Sequence, residues 1–298
     1  MPTVLVWPRR AIAWHATLGV ILAVVLALCL AAIGRPALAL LGVVVGAGYF
    51  WGATRRFRRR RALVRSPFPE RWRAVLSERL PYYRRLDAEG RRRFEDDVRI
   101  FLAEQRIYGI RGARVGEEAK LLIAASAAML GFGLPEWEWT DLRDIVVYPQ
   151  AFSEEYDMHQ DPDLIGVVHM QGPIVISRRD LRFGFRRPDD GHNVALHELA
   201  HVMDMADGHA DGVPADIDWV AAAPWVEVMA RRLAELREGG GTLDPYAGTN
   251  RAELFAVAVE VFFEQPEQLA QNDPELFELL VGYFKQDPRA PGEVSIDR

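Results

Sequence analysis

Apolar positions are distributed very unevenly along the 298-residue chain. From Ala11 to Ile33 only Trp14, His15 and Thr17 interrupt an apolar stretch, which is long enough as a helix to cross a hydrocarbon core about 30 Å thick. Gly34-Arg35-Pro36 reads as a turn, and a second apolar run from Ala37 to Ala53 carries Tyr49 and Trp51 near its end, where interfacial aromatics belong. The pattern predicts a two-helix membrane hairpin. Beyond it the periodicity changes. Leu86, Phe94, Val98, Ile100, Phe101 and Ile107 are spaced as on amphipathic helices, with breaks expected at Pro81 and Gly90. A core helix is expected near Glu117–Met129 and strands at Asp144–Tyr148 and Pro173–Ser177. The apolar patch 121–134 is too short for a span and reads as buried core. A charged loop from Arg178 to Gly191 should lead into a helix capped by Asp189 or Asp190 and stopped at Gly208. The expected architecture is α+β, mainly helical with a small sheet. The expected domains are the hairpin with its arginine cluster, residues 1–61, and a folded unit, residues 62–298.

Charge sharpens this division. Residues 1–61 hold nine arginines and no acidic residue, leaving 27 basic against 42 acidic residues beyond, about −15. Such a surface argues against direct nucleic-acid binding. Arg9 and Arg10 precede the first run, and Arg55, Arg56 and Arg58 to Arg61 follow the second. The positive-inside rule therefore places both ends, and the large unit, in the cytoplasm, at the inner membrane of a bacterium. The single cysteine, Cys29, lies within the first apolar run. It builds neither a disulfide framework nor a thiolate metal site, so any metal must use His, Asp or Glu.

Those ligands occur in Asn193-Val-Ala-Leu-His197-Glu198-Leu-Ala-His201. Histidines four apart share a helix face, where both imidazoles can meet one ion, and the intervening glutamate is placed to move a proton rather than to ligate. Satisfied core histidines are the bland reading of each residue alone; the pair, with Glu198 between, favours metal. A third protein ligand is needed. Asp207 would require a glycine turn where the chain has Asp204, and Asp204 is suited to orienting a ligand histidine or to ending a helix in solvent. Glu253 and Glu260 share a face of the stretch 250–260, and Asn250 with Glu253 also resembles a capping box. On these grounds alone the choice stays open.

The stretch 197–204 together with Tyr246-Ala-Gly-Thr-Asn-Arg-Ala-Glu253-Leu-Phe-Ala-Val resembles the Mlc titration factor A family of zinc peptidases, and the second block is similar to the catalytic domain of anthrax lethal factor. The likeness extends to Val-Val-Tyr-Pro at 146–149, Gly172–Ser177 and Asp190–Leu196, within residues 65–290. It implies a zincin-like fold, Zn2+ held by His197, His201 and Glu253, Glu198 as general base, and Tyr246 as a donor to the developing oxyanion. The implied activity is hydrolysis of peptide bonds, aminopeptidase action included, with the strand ending at Ser177 holding substrate by strand addition. A transcriptional repressor like Mlc is the implied partner. Two features depart from the family: Arg178 stands where members often have Trp, and the hairpin is absent from the best-known soluble member. The rival reading is a membrane-anchored regulatory module with a zinc ion, which would have no need of Glu198 as a base.

Overall fold

The computed structural model describes residues 6, 8–140, 142, 144–149, 174–215, 217 and 219–291. The chain divides into two compact units, Pro2–Pro67 and Phe68–Arg298.

The first unit contains α1 (Arg9–Ala32), a short 3-10 turn at Pro36–Leu38, α2 (Leu40–Ala53) and α3 (Arg55–Arg65). Arg9–Ala32 and Pro36–Ala53 are long and apolar enough to cross a membrane. They pack as a hairpin along small residues. A Cβ added at Gly42 would overlap the carbonyl oxygen of Ala23, and one at Gly46 that of Gly19. Gly42-x-x-x-Gly46 thus lets two backbones approach as closely as transmembrane pairs do when small residues line the contact. Nearer the open end of the hairpin, His15 and Tyr49 join across it through the imidazole Nδ1 and the phenol, 3.1 Å apart.

The second unit runs α4 (Glu70–Arg79), α5 (Pro81–Arg85), α6 (Ala88–Glu104), β1 (Arg106–Gly109), α7 (Glu117–Gly131), β2 (Asp144–Tyr148), β3 (Ile174–Ser177), α8 (Arg178–Gly184), α9 (Val194–Asp204), α10 (Trp219–Arg237), α11 (Arg251–Glu264), α12 (Pro266–Asn272) and α13 (Pro274–Phe284). The three described strands form one parallel sheet in the order β1-β2-β3. Mostly helical with this small sheet, the unit agrees with the α+β expectation. Ile107, Ile145, Val147, Ile174 and Ile176 enter the main core on one face, while Val146, Tyr148 and Val175 form a separate cluster on the other. Both faces are covered, as parallel sheets require. The patch at 121–134 is core as expected: Leu121 to Leu130 of α7 are all buried.

Local readings are corrected at several points. Gly90 does not break a helix but lies inside the first turn of α6, because Asp87 caps that helix by accepting from the Gly90 N–H at 2.6 Å. The charged stretch after Arg178 is not all loop. Ser177 accepts from the Asp180 N–H at 3.2 Å and starts α8 directly at the end of β3. Pro173, expected to begin β3, lies outside the described residues.

Candidate metal centre

α9 carries His197, Glu198 and His201. Its Ala195, Leu196, Leu199, Ala200 and Met203 are fully buried, and it packs against α11, α7 and β3. That apolar stripe turns the two histidines and Glu198 toward the opposite, partly open side. The cap is Asn193, not Asp189 or Asp190: its side-chain oxygen accepts from the N–H groups of Ala195 and Leu196 at 3.2 and 3.3 Å. Asp190 is already engaged locally, accepting from the His192 N–H at 3.1 Å. Gly208, at φ +94°, ends the 3-10 turn Met205–Asp207 that continues the helix.

α11 delivers the carboxylates. Asn250 caps it by accepting from the Glu253 N–H at 3.0 Å, while the Glu253 carboxylate is directed at the two imidazoles. His197 Nε2 and His201 Nε2 lie 3.2 Å apart, and Glu253 Oε2 is 3.0 Å from the first and 3.6 Å from the second. A tetrahedral ion holding nitrogen and oxygen donors at about 2.0–2.1 Å spaces them by about 3.3–3.4 Å, so these separations bracket what one ion needs. The donor set is also chemically suited. Despite its closeness to both rings, Glu253 Oε2 is buried without a hydrogen-bond partner, which is the condition of an oxygen aimed at a cation. His197 Nδ1–H donates to Glu260 Oε1 at 2.7 Å, leaving the Nε2 lone pair for a ligand role.

Glu260, open as a third ligand in the sequence, is thus the partner of His197 rather than a member of the triangle. Its other oxygen accepts from the Asn193 backbone N–H. Glu264, one turn on, accepts from Asn193 Nδ2 at 2.9 Å and from the Gly191 N–H at 3.1 Å. Gln265 Nε2 donates to the Asp189 carbonyl at 2.8 Å. The approach to α9 is therefore clasped by the last turns of α11. Neither Asn193 nor Glu264 was singled out for this from sequence; an amide just before an HExxH helix was the available signal.

Charges at the site are strongly perturbed. Burial opposes the imidazolium of His197, but Glu253 and Glu260 outweigh it and hold the metal-free ring up at about 10. Burial likewise opposes the Glu253 carboxylate, yet His197 and His201 keep it well below the usual range. Burial raises Glu198, against the lowering influence of His197 and His201. Glu264 is pushed up to about 8 by burial, the bond from Asn193 working against this.

Tyr246 stands on the 3-10 turn Pro245–Gly248, started by Asp244, which accepts from the Tyr246 N–H at 2.8 Å. Arg237 of α10 holds this turn through the Gly248 and Thr249 carbonyls, both at 3.0 Å. The ring centroid lies 6.3 Å from that of His197, and the residue is 55% exposed. Desolvation and the Glu253 charge raise its phenol. Asp207 is exposed and accepts from the His209 N–H at 2.9 Å, away from the triangle. Asp204 is no solvated helix end. It is fully buried, neither of its carboxylate oxygens makes a side-chain hydrogen bond, and burial raises it to about 6.

The family model for the glucose-regulated metallo-peptidase M90 matches residues 54–285. A protein of Synechocystis sp. is 31% identical over 84% of this chain and 95% of its own. Mlc titration factor A of Cronobacter sakazakii is 29% identical over 75% of this chain and 88% of its own, and that of Edwardsiella ictaluri 32% identical over 68% and 80%. The chain therefore belongs to the glucose-regulated metallo-peptidase M90 family, which implies a divalent metal and a peptide or protein substrate.

Proposed function

We propose that this protein is a zinc metallopeptidase of zincin-like fold, anchored in the bacterial inner membrane by its N-terminal hairpin with the peptidase unit facing the cytoplasm. One observation carries the enzymatic part: His197 Nε2, His201 Nε2 and Glu253 Oε2 converge within 3.0–3.6 Å on the face that also bears Glu198. These three side chains would hold Zn2+; their mixed imidazole and carboxylate chemistry and small number suit zinc with a position left for substrate or water. When bound, the ion supplies Lewis acidity for water and for the scissile carbonyl.

The remaining steps belong to the chain. Glu198 is neighbour to a ligand and not one itself. Burial raises its proton affinity, which makes it a stronger base, and its carboxylate takes the proton of the attacking water and passes it to the leaving amine. The Tyr246 phenol, kept protonated by desolvation and the Glu253 charge, donates to the oxygen on which negative charge develops. Glu260 fixes the tautomer and plane of His197. The outer edge of β3 is unpaired among the described residues, and leads by Ser177 into α8; a peptide adding there as a strand would run past α9.

Glu198→Gln tests the assignment. It should retain stoichiometric zinc and lose on the order of 10²–10⁴-fold in kcat/KM toward short chromogenic peptides; hydrolysis at the wild-type rate would remove Glu198 from the mechanism. The same variant separates a second reading, suggested by the name Mlc titration factor A of the relatives. If the chain acts by sequestering a repressor of that kind, binding survives Glu198→Gln intact and the wild-type protein hydrolyses no peptide.

A further inference from the structure

α3 follows the second span after a single residue, Thr54, and carries seven arginines, at 55, 56, 58, 59, 60, 61 and 65. The first acidic residue of the sequence is Glu70, beyond the end of the helix. Arg55 and Arg59 are four residues apart, and Arg58 and Arg65 seven, so these four share one side of the helix. Arg55, Arg59 and Arg65 are exposed there. Phe57 and Val64 lie toward the other side, and Arg60 is buried.

Arg58 ties this side to the end of α2. Its guanidinium lies over the Trp51 ring at 3.6 Å, and it donates to the Trp51 carbonyl and to Thr54 Oγ1, both at 2.7 Å. Thr54 Oγ1–H in turn donates to the Phe50 carbonyl at 2.7 Å. The Phe50 and Trp51 carbonyls near the end of α2 are thereby satisfied by Thr54 and Arg58, and Trp51, 67% exposed at the end of an apolar helix, is of the type that sits in the boundary between acyl chains and headgroups. The arginine side of α3 is thus fixed beside an exposed tryptophan.

We propose that α3 is a binding surface for anionic phospholipid, its exposed arginines pairing with headgroup phosphates beside Trp51. This rests on the membrane reading of the hairpin. Guanidinium forks fit phosphate oxygens two at a time, and a basic segment at a membrane surface gains from every anionic headgroup within a screening length.

The test uses the full-length chain reconstituted into mixed vesicles of phosphatidylcholine and phosphatidylglycerol, with one lipid at a time carrying brominated acyl chains, and reads quenching of tryptophan fluorescence. Trp14 and Trp51, on the two hairpin helices, are the reporters. Phosphatidylglycerol should be preferred by about tenfold in low salt, and the preference should shrink at 1 M salt, where the screening length is about 3 Å. In the variant R55Q/R59Q/R65Q total quenching should persist while the preference falls toward one. Equal quenching by both lipids in the wild type, or an undiminished preference in the variant, overturns the proposal and leaves the hairpin in the membrane. No quenching by either lipid overturns the membrane reading and this proposal together.

Discussion

Glu260→Gln is the most informative perturbation of the site, because it leaves all three proposed ligands and the general base in place. Glu260 accepts from two donors, His197 Nδ1–H at 2.7 Å and the Asn193 backbone N–H. Glutamine has the same shape but a single acceptor oxygen, so one of the two donors must face an amide NH2. The backbone N–H cannot turn away, whereas the imidazole can, so the loss falls on His197. A hydrogen bond to a charged acceptor is worth about 1.5–3 kcal/mol, and about 1.4 kcal/mol is a factor of ten. Zinc affinity should therefore weaken by about 10- to 100-fold, the range found when the carboxylate behind a ligand histidine is removed. A competition titration against a chromophoric chelator measures it, with kcat/KM at saturating zinc recorded in parallel and thermal denaturation showing that the variant is folded. Affinity within twofold of wild type would mean that His197 needs no carboxylate to hold its ligand tautomer, and the account of the site would fail at that point.

Three further outcomes follow from the same geometry. Tyr246→Phe should lower kcat on the order of 10²-fold with KM little changed, since the phenol acts only on charge that develops in the transition state; an unchanged kcat places Tyr246 outside the reaction. Asp204 is raised from 3.8 to about 6 in the fold, so its ionisation costs stability, with the cost absent below the unfolded value and complete above about pH 6. Asp204→Asn should accordingly stabilise the protein against denaturant on the order of 2 kcal/mol at pH 8 and not at pH 3.5, and a pH-independent effect refutes this. In metal-free protein, His197 sits at about 10 against 6.5 unfolded, so its contribution is full below pH 6.5 and is lost as pH rises through 10. The difference in Tm between zinc-loaded and chelated protein should widen over that interval; a constant difference would show that proton and metal do not compete there.

What the sequence made legible was whatever depends on local spacing. Helix period placed His197 and His201 on one face, and length with composition picked out the apolar hairpin helices and the core helix α7. What it left open depends on how two distant helices are offset along their axes. Glu253 and Glu260 are equivalent by period, and only the docking of α11 against α9 puts one beside both Nε2 atoms and the other behind His197 Nδ1. Caps failed for a related reason. Asp189, Asp190 and Asn193 are all competent, and the choice falls to Asn193 because Asp190 folds back on His192 while Glu260 and Glu264 fix the Asn193 backbone and amide. For Asp204 the sequence leaves two readings open, orienting a ligand histidine or ending the helix in solvent; its carboxylate bonds to no histidine, and its burial comes from the segment around Gly212 and Ala215 returning over it, the Ala215 N–H donating to the Met203 carbonyl at 3.0 Å.

The distribution of acidic residues on α11 argues for the metal independently of the motif. In Arg-Ala-Glu-Leu-Phe-Ala-Val-Ala-Val-Glu-Val-Phe-Phe-Glu the three glutamates at 253, 260 and 264 fall at i, i+7 and i+11, a single stripe on a helix that is otherwise apolar after Arg251. Carrying carboxylates into a helix packing interface is costly unless each is paired. Glu264 is paired by the Gly191 and Asn193 N–H groups, and Glu260 by Asn193 and His197. Glu253 alone presents a buried oxygen without a hydrogen bond, and it does so beside the Nε2 atoms of both imidazoles. A carboxylate oxygen and two imidazole nitrogens drawn this close are stable together only with something positive among them. A proton can serve one contact of the three at a time, as the raised His197 shows, whereas a divalent cation serves all three at once. On the proposed reading the stripe is two carboxylates that fix α9 and one that would meet the ion, and removing either kind should be felt as loss of metal before it is felt as loss of fold.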